Sequence, residues 1–408
     1  MTAENNRVKI DPDLDFVQEV IEDGGESLKK CFQCGTCSVV CNLAPEDSPF
    51  PRQEMIWAQW GMRDKLIGDA NVWLCHQCSD CTAYCPRGAK PGEVLGAVRK
   101  KVIESVSFPP ALAKRIGDPH YLPWLFGIPA LVLLILLFVN PYLPWVHGTM
   151  GDEQIIFGHM IDHWVINMVY VPLVGLAALV FIMGIHRLLQ GMSGEGLAGF
   201  ISNADKPRLG KALVDVIKRI VTHDDFDKCE TNKWRKLAHQ LVFFSFIGLL
   251  IVTVLAIVVL VAYEIFGKDW FGVYPLVWYH PIKWLANASA AAFIIGSGIM
   301  IQKRRELKDS GDMTSSYFDY LFLYIIFGVG VTGFLAQMFR FWDIHLLAFP
   351  TYYIHLILVF SLLVYSPYSK FAHFLYRTVA LIYLKYEELG KEAAKAPEAA
   401  AETEEAAA

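Results

Sequence analysis

Six long apolar stretches run through this chain of 408 residues, at about 122–139, 160–186, 237–263, 284–301, 318–339 and 350–374. Each approaches the ~20 residues that a helix needs to cross a hydrocarbon core, so each predicts a membrane-spanning helix. Residues 1–118 carry shorter signals of amphipathic helices. Pro51 opens one through Met55, Ile56 and Trp60, and Pro91 opens another with Val94, Leu95, Val98 and Val102 on roughly one face. Between the second and third spans, Leu209, Leu213, Val216, Ile217 and Ile220 form an apolar stripe among lysines and arginines. That stripe is expected on the inner membrane surface or under the N-terminal domain. The Ala- and Glu-rich end at 386–408 has no apolar face to bury and predicts a solvated, mobile tail. The expected fold is all-α: a helical soluble domain at 1–118, a six-helix transmembrane bundle at 119–385, and the tail.

Composition agrees with a chain that largely faces lipid, since 54% of residues are hydrophobic and 19% charged. The net charge of −5 and the lack of an extended basic face argue against a nucleic-acid partner. Positive charge is concentrated in alternate loops. Leu188 to Lys236 holds nine Lys or Arg, and Gln302 to Ser316 holds Lys303, Arg304, Arg305 and Lys308, whereas the other loops hold few. By the positive-inside rule the basic loops are cytoplasmic, and six crossings put both the N-terminal domain and the C-terminus on that side of an inner membrane. The acidic, polar start from Met1 to Asp15 has no basic leader and apolar core, which fits an unexported domain. Trp270, Phe271, Tyr274, Trp278 and Tyr279 suit an outer aromatic belt.

Chemistry enters with two cysteine runs, Cys31-Cys34-Cys37-Cys41 and Cys75-Cys78-Cys81-Cys85, both spaced C-x2-C-x2-C-x3-C, the second followed by Pro86. Three thiolates on one tight loop wrap three corners of a cubane, and the remote fourth cysteine reaches the other cluster. Two [4Fe-4S] clusters are therefore expected, one on Cys31, Cys34, Cys37 and Cys85, the other on Cys75, Cys78, Cys81 and Cys41. A zinc site, built from paired C-x2-C hairpins around one ion, fits eight cysteines in two runs of four poorly. Cys229, far along the chain, reads as an ordinary thiol. Lys29, Lys30, Arg52, Arg87 and Lys90 near the runs would offset cluster charge, guide docking, or simply be solvated.

Histidines inside apolar spans are costly and read as functional. His355 and His373 stand 18 residues apart. On one helix that is five turns of ~3.6 residues, so both imidazoles are expected on the same side, about 27 Å apart in a hydrocarbon core of ~30 Å. One helix would thus serve two haems.

The segment from His355 to His373, with Pro367 followed by Tyr368, Ser369 and Lys370, resembles the last helix of the cytochrome b family formed by nitrate reductase gamma subunits. Residues 160–374 follow that family's five helices in order, which makes 122–139 an addition. The resemblance implies a dihaem cytochrome b bundle with two b haems. His239 falls where the family places the partner of His373 at the inner haem, with His186 as its competitor. The family's second histidine on that helix would fall at Leu249, so the partner of His355 is expected at the outer end of the second span, where His163 is preferred to His159. Lys283 falls where the family has a lysine near its quinone, although an outer lysine reaching up to water is equally consistent. His345, Arg340 and Asp162 are further polar residues at that face.

The N-terminal domain resembles the C subunit of heterodisulfide reductases, with Asn42 in place of the proline that usually follows the first run. Its fusion to a cytochrome b resembles the membrane subunits of quinone-interacting membrane-bound oxidoreductase (Qmo) complexes of sulfate reducers. That resemblance implies electron exchange between menaquinone and cytoplasmic flavin- and iron-sulfur-containing, heterodisulfide-reductase-A-like subunits, with adenylylsulfate reductase beyond them. Two other readings stand beside it: an electron carrier of a heterodisulfide-reductase-type or sulfite-reduction complex, and a zinc-bearing membrane anchor. The chain has no adjacent Cys-Cys and no C-x2-C-H, so it lacks CCG-type ligands and a c-type haem motif.

Overall fold

The computed structural model describes residues 11–139, 155–229, 233–269, 276–277, 279–311 and 316–407, with side chains to residue 395. Among these residues the structure is helical and contains no strand. In the N-terminal domain, α1 (Leu14–Val20) starts at Asp13, whose carboxylate accepts from Phe16 N at 2.8 Å and satisfies an otherwise orphaned donor. Helices α2 (Arg52–Gln59) and α3 (Pro91–Val106) follow the prolines that announced them. The apolar face of α3 is buried as its spacing required: Val94, Leu95, Val98 and Val102 are each at most 1% exposed.

Six helices are long and apolar enough to cross a membrane. They are α4 (Leu122–Val139), α5 (His163–Ser193), then, after the surface helix α6 (Lys206–Thr222), α7 (Trp234–Glu264), α8 (Pro281–Asp309), α9 (Tyr317–Phe341) and α10 (His345–Val364). Each overlaps a predicted span, with α5 and α8 running seven and eight residues past its end, and the last stretch is divided. Pro367 has no N–H to donate and breaks the helix here, whereas Pro129, Pro172 and Pro350 are carried inside α4, α5 and α10. The chain makes two 3-10 turns there, and α11 (His373–Ala407) begins anew at His373. His355 and His373 therefore sit on different helices, and helical periodicity no longer sets them on the same side.

Other expectations also shift. The stripe on α6 packs inward, with Val216 clustered among Phe50, Leu74, Leu95 and Leu381. Helix α11 runs on past residue 385, because Ala, Glu and Lys are strong helix formers. Its Tyr386 and Leu389 pack with Ala204 and Ala212 rather than joining a tail. Of the outer aromatic belt, Tyr279 falls within the described residues and is exposed, whereas Trp270, Phe271, Tyr274 and Trp278 lie outside them.

The N-terminal domain and the bundle of long apolar helices share one core. Phe16, Leu28, Met55, Trp73 and Val98 cluster with Phe181 and Leu188 of α5 and with Tyr376 and Ala380 of α11. The basic loops meet the N-terminal domain directly: Lys90 Nζ donates to the Gly311 carbonyl at 2.6 Å, and Arg235 donates to the Gln77 carbonyl. The tightest point of the junction is Gly68 against Gly191 of α5, where a Cβ on Gly68 would stand 2.5 Å from the Gly191 carbonyl oxygen. Gly68→Val is therefore expected to destabilise the docking by about 1–3 kcal/mol. Limited proteolysis in membranes would register this as faster release of the N-terminal domain, and an unchanged rate would refute the contact.

Candidate metal centre

The two cysteine runs repeat a backbone pattern as well as a spacing. Gln33 and Gln77, each just before the second cysteine of its run, have φ of 63° and 52°; Gly35 and Ser79, just after it, have φ of 85° and 72°. Two left-handed residues around one cysteine curl the chain so that successive N–H groups point into the loop, a concavity suited to anionic sulfur. Of the four positions only Gly35 is free of a Cβ, so Gln33, Gln77 and Ser79 hold a strained conformation that tertiary contacts must maintain. Those contacts are visible: Arg52 Nε donates to Gln33 O at 3.0 Å, and Gln77 Nε2 donates to Gly92 O at 3.2 Å. Each run then enters one short helical turn, Thr36–Val39 and Asp80–Ala83, that carries its third cysteine.

The thiols gather into two sets across the runs. Cys37 feels Cys31, Cys34 and Cys85, whereas Cys41 feels Cys75 and Cys78, and Cys81 feels Cys75, Cys78 and Cys41. Burial pushes the Cys37 thiol up to about 11 and the Cys41 thiol up to about 12, with repulsion from neighbouring thiolates adding to it. Thiols raised by burial in this way are poor thiolates alone and good ones around cationic iron. Backbone N–H groups already point at sulfur, from Gln77 to Cys75 Sγ and from Ala89 to Cys85 Sγ, both at 3.3 Å. Four thiols per set, with donors turned toward the sulfurs, fit a cubane.

The sets differ in surroundings. Cys34 of the first is exposed, its thiol held below the ordinary range by the Thr36 hydroxyl at 3.4 Å. The second set faces the membrane bundle and is ringed by guanidinium groups. Arg99 of α3 donates to Cys75 O at 2.5 Å, Arg377 of α11 donates to the same oxygen at 3.3 Å, and Arg235 of α7 reaches Gln77 O. Of the basic residues expected near the runs, Arg52 and Arg87 do approach the first, Arg87 lying over the Phe32 ring at 4.2 Å. Sequence reasoning missed Arg99, Arg235 and Arg377, which are remote in the chain and carry no motif. It also missed Cys229, which is buried beside Cys78 rather than remote from the runs.

A line of rings leads from the second set into the membrane bundle. His76, between Cys75 and Cys78, meets Phe226 edge-on at 4.6 Å, and Phe226 lies 5.1 Å from His239 of α7. Burial holds His76 down to about 3, so it is neutral and its Nε2 accepts from Arg377 Nη2 at 2.5 Å. His223 donates from Nδ1 to Val221 O at 3.1 Å, so its Nε2 accepts from His239 Nδ1 at 2.9 Å. That relay leaves His239 Nε2 as a lone pair. His373 Nδ1 donates to Lys370 O at 2.6 Å, and His355 Nδ1 donates to Thr332 Oγ1 at 3.1 Å, the hydroxyl itself donating to Gly328 O. All three imidazoles thus have Nδ1 anchored and Nε2 available, the arrangement of a metal-binding histidine with its outer partner in place.

The remaining histidines differ. His186 is exposed, and its Nδ1 accepts from Leu197 N at 3.2 Å, so it turns away from the bundle interior. His163 is not brought to His355. Its Nε2 pairs with Glu264 at 2.9 Å, and Trp164 donates to the same carboxylate at 2.6 Å. The two also differ in depth. Tyr170, seven residues further along α5, is level with Leu356, because its hydroxyl donates to the Leu356 carbonyl at 2.8 Å; at ~1.5 Å per residue, His163 lies about 10 Å nearer the far end. Lys283 does not reach up to water: its Nζ donates to Gln337 Oε1 at 3.2 Å, and Gln337 donates to Asn287 at 2.5 Å. Asp162 caps α5, Arg340 donates to Ile155 O at 3.0 Å, and His345 meets Asp343 at 3.2 Å.

Beside the first run, Glu54 and Asp69 form a buried carboxyl pair. Burial pushes both upward, the Asp69 carboxylate raises Glu54 further, and neither Glu54 oxygen has a hydrogen-bond partner. An acid raised in the folded state binds its proton more tightly there than when unfolded, so stability is greatest below about pH 4.5 and erodes as pH rises toward the folded value. Glu54→Gln is accordingly expected to stabilise the protein by about 1–3 kcal/mol at pH 8 and to change little at pH 5, read as the pH dependence of thermal unfolding. A gain that is equal at both pH values would contradict a Glu54 carboxyl raised by burial.

Residues 27–89 match the model of the 4Fe-4S dicluster domain family. The chain is 32% identical over 132 residues to the second iron-sulfur C subunit of the CoB–CoM heterodisulfide reductase of Methanocaldococcus jannaschii, covering 30% of this chain and 69% of that one. It is 33% identical over 106 residues to the C subunit of the H2:CoB-CoM heterodisulfide, ferredoxin reductase of Methanothermobacter marburgensis, covering 26% and 57%. A protein of Archaeoglobus profundus that is itself like the heterodisulfide reductase C subunit is 39% identical over 90 residues, covering 22% and 48%. The chain thus spans about half the length of the latter two relatives. No solved structure matches it.

Proposed function

This chain belongs to the family of heterodisulfide reductase C subunits, iron-sulfur redox proteins with a 4Fe-4S dicluster domain, and from that premise we propose that it is a membrane electron-transfer subunit linking menaquinone to soluble redox subunits. Its soluble partners are heterodisulfide-reductase-A-like proteins carrying flavin and iron-sulfur centres, with adenylylsulfate reductase beyond them, and the soluble domain lies in the cytoplasm beneath the inner membrane. Two [4Fe-4S] clusters and two b haems would supply one-electron transfer when bound. The chain's own residues do the holding. Cys31, Cys34, Cys37 and Cys85 take the first cluster, and Cys41, Cys75, Cys78 and Cys81 the second. His239 and His373 take the inner haem, and His355 one side of the outer haem. The opposite side belongs to the outer end of α5, where His163 serves only if it releases Glu264, with His159 as the alternative.

The observation that carries this reading is the unbroken ring contact from His76 to Phe226 to His239, which joins a thiol set to the membrane bundle. A zinc-bearing anchor has no use for it. The inward-facing Lys283–Gln337–Asn287 chain supports a polar quinone pocket at the far end, with Lys283 able to donate to a quinone carbonyl. The test is a reduced-minus-oxidised absorption spectrum of the intact complex in membranes. Addition of a menaquinol analogue is expected to produce b-type bands and then reduce the clusters. Absence of b bands from fully assembled protein would sink the proposal. The relatives named above favour a second reading, in which the soluble partners belong to a heterodisulfide-reductase-type complex. Identification of the copurifying subunits decides between them.

A further inference from the structure

The ninth cysteine is the feature that neither family pattern uses. Cys229 is 4% exposed, in the loop that joins the second and third spans, just after the helical turn Asp224–Asp227. Its sulfur, the Cys78 sulfur and a carboxylate oxygen of Asp80 all lie within 4.8 Å of one another. Cys229 lines the same pocket as Cys41, Cys75, Cys78 and Cys81, so this thiol set has five members and not four. A second departure fixes it there. Asn42, where a proline usually follows the first run, donates from Nδ2 to the Lys228 carbonyl at 3.0 Å and so ties the loop beside Cys41. A proline at that position could not make the bond.

We propose that Cys229 is a reserve ligand of the second cluster, able to take the iron held by Cys78. The inference rests on the ligand assignment proposed above. Sulfurs no more than 4.8 Å apart match the span of two metal–thiolate bonds of about 2.3 Å each to one shared ion. In the exchange, the iron–sulfur bond to Cys78 breaks and one to Cys229 forms. The Cys229 thiol proton passes to Cys78 by way of the Asp80 carboxylate, and no electron is gained or lost. Because Cys229 comes from a loop of the membrane bundle, the exchange makes the ligation of this cluster responsive to that loop.

The experiment compares Cys78→Ala, Cys81→Ala and the double variant Cys78→Ala/Cys229→Ala in the full chain within its membrane complex. The readouts are iron content and low-temperature electron paramagnetic resonance. Cys78→Ala is expected to keep both four-iron signals at near wild-type intensity, whereas the double variant and Cys81→Ala lose the second signal and gain a three-iron one. Loss of that signal in Cys78→Ala to the same extent as in Cys81→Ala overturns the proposal. Should Cys78→Ala fail to accumulate, a redox titration of Cys229→Ala decides instead. Removal of a thiol donor next to Cys78 is expected to lower the midpoint potential of the second cluster alone, and an unchanged potential overturns the proposal. A Cys81→Ala protein that keeps its second cluster would instead refute the ligand assignment, which separates the two failures.

Discussion

Cys85→Ala is expected to damage the cluster of the first cysteine run and spare that of its own. Cys37 feels Cys85, and Cys41 in turn stands with Cys75 and Cys78 of the second run. With one of four thiolates gone, a cubane readily loses its unsupported iron, so the expected product is a three-iron centre at the exposed site. Cys41→Ala should produce the same change at the buried site. Because the first site is exposed at Cys34 and the second is enclosed by Arg99, Arg235 and Arg377, the two signals should differ in potential and in access to external oxidants. Electron paramagnetic resonance of each variant after oxidation and after reduction checks the outcome. If Cys85→Ala instead abolished the signal of the buried site and left the exposed one intact, the crossed sets would be wrong.

His373→Ala is expected to remove one b-type absorption band, about half of the total haem, while both cluster signals persist. His355→Ala should remove the other band. The basis is the shared geometry of the imidazoles, each with Nδ1 donated to a protein oxygen or nitrogen and Nε2 free. His239→Ala should match His373→Ala in the band it removes, because the two imidazoles are proposed to hold the same haem. His186→Ala should leave both bands in place, since that ring is exposed and bonded to Leu197. Haem content by pyridine haemochrome, taken with low-temperature spectra, distinguishes these outcomes. Retention of both bands in His373→Ala would remove the inner site from the proposal. The His223→Ala variant adds a finer comparison: a ring that only orients His239 should shift the band or its potential without abolishing it.

Much of this was legible from residue order alone, and the reason is that each signal was local. Six apolar runs must become six helices because lipid offers no partner for a backbone amide, so length and hydropathy sufficed for spans such as Trp234–Glu264. The C-x2-C-x2-C-x3-C spacing specifies a tight loop, and its twin forms from residues adjacent in sequence. The buried face of α3 likewise follows from a period of ~3.6 residues after Pro91.

What sequence could not supply were contacts between residues far apart in the chain, where no period or motif links the partners. Arg99, Arg235 and Arg377 converge on one loop because α3, α7 and α11 happen to meet there. Asn42 and Lys228 meet across 186 residues. His163 lost its expected partner for the same reason: its depth is set by where α5 packs on α10, through Tyr170 and Leu356, and Glu264 from α7 reaches it first. The break at Pro367 shows both sides at once. Periodicity had carried one helix through Pro367 from His355 to His373, whereas in the structure Pro367 and Tyr368 are tied to Ser107 and Phe108 and α11 starts anew at His373. Sequence alone determined which segments are long and apolar enough to cross a membrane and which residues offer metal-ligating atoms, because those depend on side-chain chemistry and local backbone geometry. Which of those residues face one another, Cys229 and Cys78 among them, was decided only by tertiary packing, because burial energy depends on the whole arrangement of helices and no single segment encodes it.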